Sequence, residues 1–352
     1  MPAKSSHAKA VFKNCMYKLS TLWILVALVV LFSLLGRNFF KGGNISNIIN
    51  QASFLVIIGV AQLVVILTGG INLAIGSIMA LTTVLLGPWL KANSGTPWII
   101  PLLGVLLAGA FIGLLNGAMV TKLAIPAFLA TFATMYVARG YAWIHIGRGV
   151  HYGINDTIRY LAMGTLFRFG TFRTTMPMLI AVVFLCVMWF LLVRTSIGRK
   201  LYFTGSNQTA AKFSGVPVDR IVIFAHVLSG LISAFAGIMY VARINAADAA
   251  LGAAYHFDAI SVALIGGAIM AGGIGSVWGV ACGALIISVI QAGMNNLKVP
   301  TELQATFLGV VIIAAVCFNT FLQERQMLNT EEILEEEEAA SESERDAEPA
   351  GA

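Results

Sequence analysis

Scattered through long apolar runs are uncharged side chains that both donate and accept hydrogen bonds: Gln62, Asn72, Asn116, Thr131, Thr134, Gln291, Asn295 and Asn296. Amides and hydroxyls facing a cavity suit a neutral polyhydroxylated solute, which they can pass on without trapping. The same groups also serve as hydrogen-bonded glue between membrane helices. Singly each fits glue; as a set they fit a wet path. What is missing narrows the chemistry further. No G-x-x-x-x-G-K-[ST] sequence occurs, so the chain lacks a phosphate cradle for hydrolysing a nucleotide itself. Asp258 is the only acid at an apolar span and lies at its edge, which weighs against a proton-coupled carrier. The four cysteines (Cys15, Cys186, Cys282, Cys317) have no C-x-x-C spacing, so neither a disulfide framework nor a zinc site is expected. No catalytic cluster, metal or bound cofactor is expected. His226 and Arg139 are the ionisable groups within spans; His226 reads as packed, and Arg139 needs acceptors such as helix-end carbonyls.

A second kind of chemistry is mechanical. Residues 194–220 form a polar loop with five basic residues (Arg194, Arg199, Lys200, Lys212, Arg220) and one acid, Asp219. That bias places it on the cytoplasmic side. Within it Ser206 or Asn207 can cap a short helix, Thr209 to Ser214 is its body, Gly215 suits a left-handed cap, and Pro217 prevents continuation. About two turns are marginal in water unless packed. Gly205, Asn207, Ala210, Ala211, Phe213, Ser214 and Gly215 are therefore candidates for a docking contact, against the alternative of a solvated loop.

These groups must be positioned by membrane helices. Of 352 residues, 58% are hydrophobic and 11% charged, against about 25% charged in a soluble domain. The expected fold is all-α, a polytopic bundle of about ten spans: 19–35, 52–67, 75–90, 98–120, 127–146, 174–193, 221–240, 258–271, 277–294 and 303–322. Ten spans from a cytoplasmic start put both termini and the 194–220 loop inside. The connection 147–175 then lies outside although it carries four arginines. Residues before Thr330 hold 21 basic and 6 acidic side chains, a net charge of +15 that reads as membrane topology and not nucleic-acid binding. The organisation is a cytoplasmic segment 1–18, a permease domain 19–322, and an acidic tail 323–352 expected to be disordered.

Two spans are interrupted by glycine. Gly69-Gly70-Ile71 follows span 52–67, and Gly272-Gly273-Ile274 follows span 258–271. At 14–16 residues these spans fall short of a bilayer, and short Gly-interrupted segments in two halves of a transporter point to broken or re-entrant helices beside the path. Gly70 and Gly273 thus join the path candidates, with glycine-mediated helix packing as the alternative. A faint echo relates Pro126 and Ala130-Thr131-Phe132 to Pro300 and Ala305-Thr306-Phe307.

Four stretches carry a family resemblance: Gly69-Gly70-Ile71-Asn72-Leu73-Ala74-Ile75-Gly76-Ser77; Ile125-Pro126-Ala127-Phe128-Leu129-Ala130-Thr131; Gly205-Ser206-Asn207 through Ala210-Ala211 to Ser214-Gly215-Val216; and Phe257-Asp258-Ala259-Ile260 leading to Gly272-Gly273-Ile274-Gly275. In order and spacing the chain resembles the membrane permease subunits of bacterial ABC sugar importers of the ribose, galactose and autoinducer-2 type, over roughly residues 19–322. The resemblance implies a pore built from two permease copies, identical or paralogous, in the cytoplasmic membrane. It also implies a separate ATPase subunit that binds the ATP and Mg, and an external solute-binding protein. It implies that the 205–215 helix touches the ATPase. Where that family usually has Asp, Ser and Glu, this chain has Asn72, Ala74 and His256. Importers of a polyol, a nucleoside or a branched-chain amino acid, and an ion-coupled carrier, remain as alternative functions.

Overall fold

The structure, a computed structural model, describes residues 20–36, 39–92, 98–147, 149–152, 159–160, 163–300, 302–304, 306–311, 313–314 and 317. The expected cytoplasmic segment 1–18 and acidic tail 323–352 lie outside these residues. The chain divides into two compact units, Met1–Gln304 and Ala305–Ala352. In the second, every described residue is helical.

In the first unit the elements run α1 (Ser20–Leu35), α2 (Gly42–Ile66), α3 (Ile75–Ala92), α4 (Ile99–Lys122), α5 (Ala127–Ile146), β1 (His151–Tyr152), β2 (Thr165–Phe169), β3 (Phe172–Thr175), α6 (Met176–Trp189), a π-helical turn (Phe190–Arg194), α7 (Ser196–Ser206), α8 (Gln208–Phe213), α9 (Val218–Ile244), β4 (Ala246–Ala247), α10 (Tyr255–Ile265) and α11 (Val277–Asn296). Helices α2, α4, α6 with its π turn, α9 and α11 are long and apolar enough to cross a membrane. β2 and β3 form an antiparallel hairpin, and β1 pairs with β4 over two residues.

Helix α9 is the hub, packing on α4, α3 and α2, while α11 packs on α2, α10 and α1. The α4–α9 crossing is set by Gly109, Gly113 and Gly117, one per turn. A Cβ on Gly109 would lie 2.6 Å from the Gly230 carbonyl oxygen, and one on Gly113 would lie 2.2 Å from that of His226. Such spacing lets two backbones touch, which replaces the hydrophobic drive that lipid removes. The buried α2 is lined by Ile58, Val60, Leu63, Val64 and Ile66. The outer faces of α4, α5 and α6 remain apolar and exposed, at Leu107, Val137, Ile144 and Val183. Lipid is the natural solvent for them.

Two spans differ from the sequence expectation. α2 has 25 residues and starts at Gly42, ten residues earlier than expected, so at about 37 Å it is no short span. Its opening, with Asn44, Ser46, Asn47, Asn50 and Gln51, is polar enough to hide the helix from a hydropathy reading. α10 is shorter than expected, 11 residues, or about 16 Å. Only the second break therefore follows a short helix. The 194–220 loop also holds a helix that the sequence reading missed, α7. Thr195 starts it by accepting a hydrogen bond from Gly198 N (3.2 Å).

Candidate functional site

The first break, residues 67–74, leaves α2 at Leu67 and runs without helix to Ile75. Gly69 makes the turn at φ +80°, a conformation glycine adopts without strain. Three predicted path residues hold this extended backbone. The hydrogen-bond pattern orients the Gln62 amide so that it donates to Asn72 O (2.9 Å) and accepts from Asn72 N (3.3 Å). Thr131 Oγ1 accepts from Leu73 N (3.1 Å) and lies 3.1 Å from Ile71 O. The Asn72 side chain donates to Ser229 Oγ on α9 (2.9 Å) and accepts from Ala74 N (2.9 Å). Gln62, Asn72 and Thr131 are fully buried in this bracket. Gly70 sits against Ala127 and Val65. Thr134 donates to Asn116 Oδ1 (2.7 Å), a pair on α5 and α4.

The second break, residues 266–276, meets the first. Gly273 N donates to Leu67 O at 3.1 Å. Gly272 and Gly273 take φ of +100° and +74°. Ser276 caps α11 by accepting from Gly279 N (2.9 Å). The last turn of α7 also reaches this point. A Cβ on Gly205 would fall 1.8 Å from Leu67 O and 2.4 Å from Gly273 N. Tyr202, whose hydroxyl is held above the usual phenol pKa by burial, donates to Gly275 O (2.9 Å). Gly205 and Gly273, predicted for different roles, are thus brought together.

Asn207 ends α7 and caps α8, its side chain accepting from Ala210 N (2.9 Å). Gly215 has φ +78°, as its cap position required, and Pro217 precedes α9. The exposures within α8 divide its residues. Ala211 is fully buried against Val218 and Val222 and seats the helix on the permease, whereas Phe213 is 89% exposed. Ala210 is half-buried and Ser214 exposed. At this end, Lys122 and Asp219 form a surface ion pair at 3.7 Å.

At the opposite end of α2 is a cavity of about 780 Å³, lined by Asn47, Asn50, Gln51, Asn295 and the β2–β3 hairpin. Arg168 and Arg173 of the hairpin and Arg243 from the end of α9 complete its rim, and among the described residues no carboxylate lines it. Gln51 donates to Gln291, and Thr175 to Asn50. Gln291 and Asn295 are therefore near the cavity, while Gln62, Asn72, Asn116, Thr131 and Thr134 are not among its lining residues. Sequence reasoning missed Asn47, Asn50, Gln51 and the arginines. The polar spacing at 44, 47, 50 and 51 was the available signal, since it marks one helical face. His226 is packed as expected, with Nδ1 2.9 Å from Val222 O. The expected acceptors for Arg139 are incomplete: its Nη2 has no partner among the described residues.

Comparison with known proteins follows this geometry. Residues 44–316 match the family described as branched-chain amino acid transport system / permease component. The chain belongs to that family. A ribose import permease of Haemophilus influenzae is 33% identical over 305 residues, 86% of this chain and 93% of that protein. A fructose import permease of Rhizobium meliloti is 31% identical, covering 85% of this chain and 84% of its own length. A D-allose transport system permease of Escherichia coli is 30% identical, over 87% and 92%. No solved structure matches the chain significantly. As a family member with several apolar crossing helices, the chain is a multi-pass membrane protein.

Proposed function

We propose that this chain is the permease subunit of an ATP-driven importer that carries a sugar, or a related small polyhydroxylated solute, across the cytoplasmic membrane. The observation that carries the reading is the pairing of an amide-lined cavity at one end with closed glycine breaks at the other. The names of the relatives, ribose, fructose and allose permeases, support the solute class. Amides accept from and donate to hydroxyls, and guanidinium donors can span vicinal hydroxyls. The basic 194–220 loop lies in the cytoplasm by the positive-inside rule, which puts the cavity on the external face. There it would receive solute from an external binding protein. α8, presenting Phe213, would dock on a separate ATPase subunit that binds ATP and Mg, and a second permease copy would complete the pore. This chain then binds no cofactor and catalyses no reaction.

The test is reconstitution with the ATPase and a binding protein in proteoliposomes. Uptake of D-ribose, D-allose, D-fructose, D-galactose, a polyol, a nucleoside and leucine is measured with and without ATP. ATP-dependent uptake of a sugar is expected. Leucine uptake alone would favour the second reading, an amino acid importer, which the family description supports. Uptake by the chain alone under an ion gradient would overturn the ATP-driven mechanism.

A further inference from the structure

Three backbones converge where α7 ends. Leu67 closes α2, Gly273 lies in the second break, and Gly205 lies in the last turn of α7. Gly273 N is bonded to Leu67 O at 3.1 Å. No side chain separates them from α7: a Cβ on Gly205 would overlap Leu67 O at 1.8 Å, and one on Gly272 would come within 2.8 Å of Gly69 N and 2.9 Å of Gly205 O. One turn earlier, Tyr202 donates to Gly275 O at 2.9 Å. Thr204, between Tyr202 and Gly205, is fully buried, as is Leu201 just before them.

We propose that the end of α7 is a latch that ties both membrane breaks together, so that they open as one when α7 moves. Gly205 and Tyr202 are its positioning residues. The inference rests on α8 as the contact with the ATPase, and it adds what that contact moves. Asn207 is at once the C-terminal cap of α7 and the N-terminal cap of α8. Hence no flexible linker lies between the exposed Phe213 and the latch. Close-packed backbones do not stretch continuously; they separate or stay together. A rigid push on α8 is thus delivered within a few residues to the first break through Leu67 and to the second through Gly273 and Gly275.

The latch also explains the glycines. Gly69, Gly272 and Gly273 need positive φ, but Gly205 is helical and needs none. Its missing side chain is explained by the approach of Leu67 and Gly273.

The test uses hydrogen exchange of the full chain in nanodiscs, wild type against Tyr202→Phe and Gly205→Ala. Loss of one buried hydrogen bond should speed exchange roughly fivefold to tenfold. The acceleration is expected in both 67–74 and 266–276, with α4 and α9 unchanged. Tyr202→Phe keeps the ring and its packing, so it decides the matter if Gly205→Ala fails to assemble. Acceleration confined to one break, or absent from both, overturns the latch. A second measurement uses the complex with the ATPase, trapped with ADP and vanadate. In the wild type, exchange should change in both breaks together. In Tyr202→Phe the joint response of 67–74 and 266–276 should be lost while ATPase co-purification is retained. An unchanged response in Tyr202→Phe overturns the latch. Failure of the wild-type chain to bind any ATPase overturns the importer reading instead, and the nanodisc result then decides the latch by itself.

Discussion

Truncating Phe213 to alanine separates docking from folding. The ring stands on α8 with 89% of its surface in solvent, so the isolated permease gains little from it. An aromatic ring left so exposed beside a polar loop has a partner's pocket as its natural place. Fully burying a phenylalanine side chain contributes about 1.5–3 kcal/mol. Removing all but the Cβ from an enclosed ring therefore costs about 2.5 kcal/mol, which is roughly 60-fold in the dissociation constant. The assay is titration of purified ATPase onto the permease in nanodiscs, with thermal denaturation of the permease alone alongside. Phe213→Ala should weaken ATPase binding roughly 60-fold and leave the melting temperature unchanged. Ala211→Trp is the contrast: it overfills a buried site against Val218 and Val222 and should lower the melting temperature too. Equal ATPase affinity for wild type and Phe213→Ala would refute the docking argument.

Other expectations follow from measured contacts. Gly113→Leu drives a side chain into the His226 carbonyl, 2.2 Å from the added Cβ, and overpacking of this kind costs about 1–3 kcal/mol; membrane abundance and melting temperature should both fall. Thr131→Val leaves the Leu73 N–H buried without its acceptor, costing about 1–3 kcal/mol, which a shifted denaturation midpoint would register. Asn47→Leu removes one amide from the cavity rim and should raise the KM for sugar uptake by roughly fivefold without altering the melting temperature. A change in stability with no change in KM would show that Asn47 packs and does not bind.

The short helix α8 was legible because its signals are local. Asn207 caps through its own side chain, Gly215 takes the left-handed cap, and Pro217 prevents continuation. Both breaks were legible from paired glycines for the same reason. The start of α2 was not, because polar residues on one helical face lower mean hydropathy without weakening the helix. Nor was the inward turn of Ala211, which depends on where Val218 and Val222 arrive from α9. The amides and hydroxyls scattered through the apolar runs separate only in three dimensions. Gln62, Asn72 and Thr131 bond to break backbone, whereas Asn295 faces the cavity. Their types are alike, and only the distance to an unpaired backbone group tells them apart. The meeting of Gly205 with Leu67 and Gly273 joins residues from three separate parts of the chain, and no local pattern encodes it.

The hairpin arginines carry a consequence for biogenesis. Arg168 and Arg173 lie just before α6; in the proposed orientation, with the 194–220 loop in the cytoplasm, that end of α6 is external and both must pass through the bilayer while the chain is being inserted. Moving a positive charge outward against an inside-negative potential of about 100 mV costs about 2.3 kcal/mol, so the two together oppose translocation by roughly 5 kcal/mol. Hydrophobic partitioning of α5 and α6 must supply that work. The hairpin should therefore be the last external connection to cross, and chains caught before it crosses would still hold α7 and α8 unlatched and open to the cell's membrane proteases.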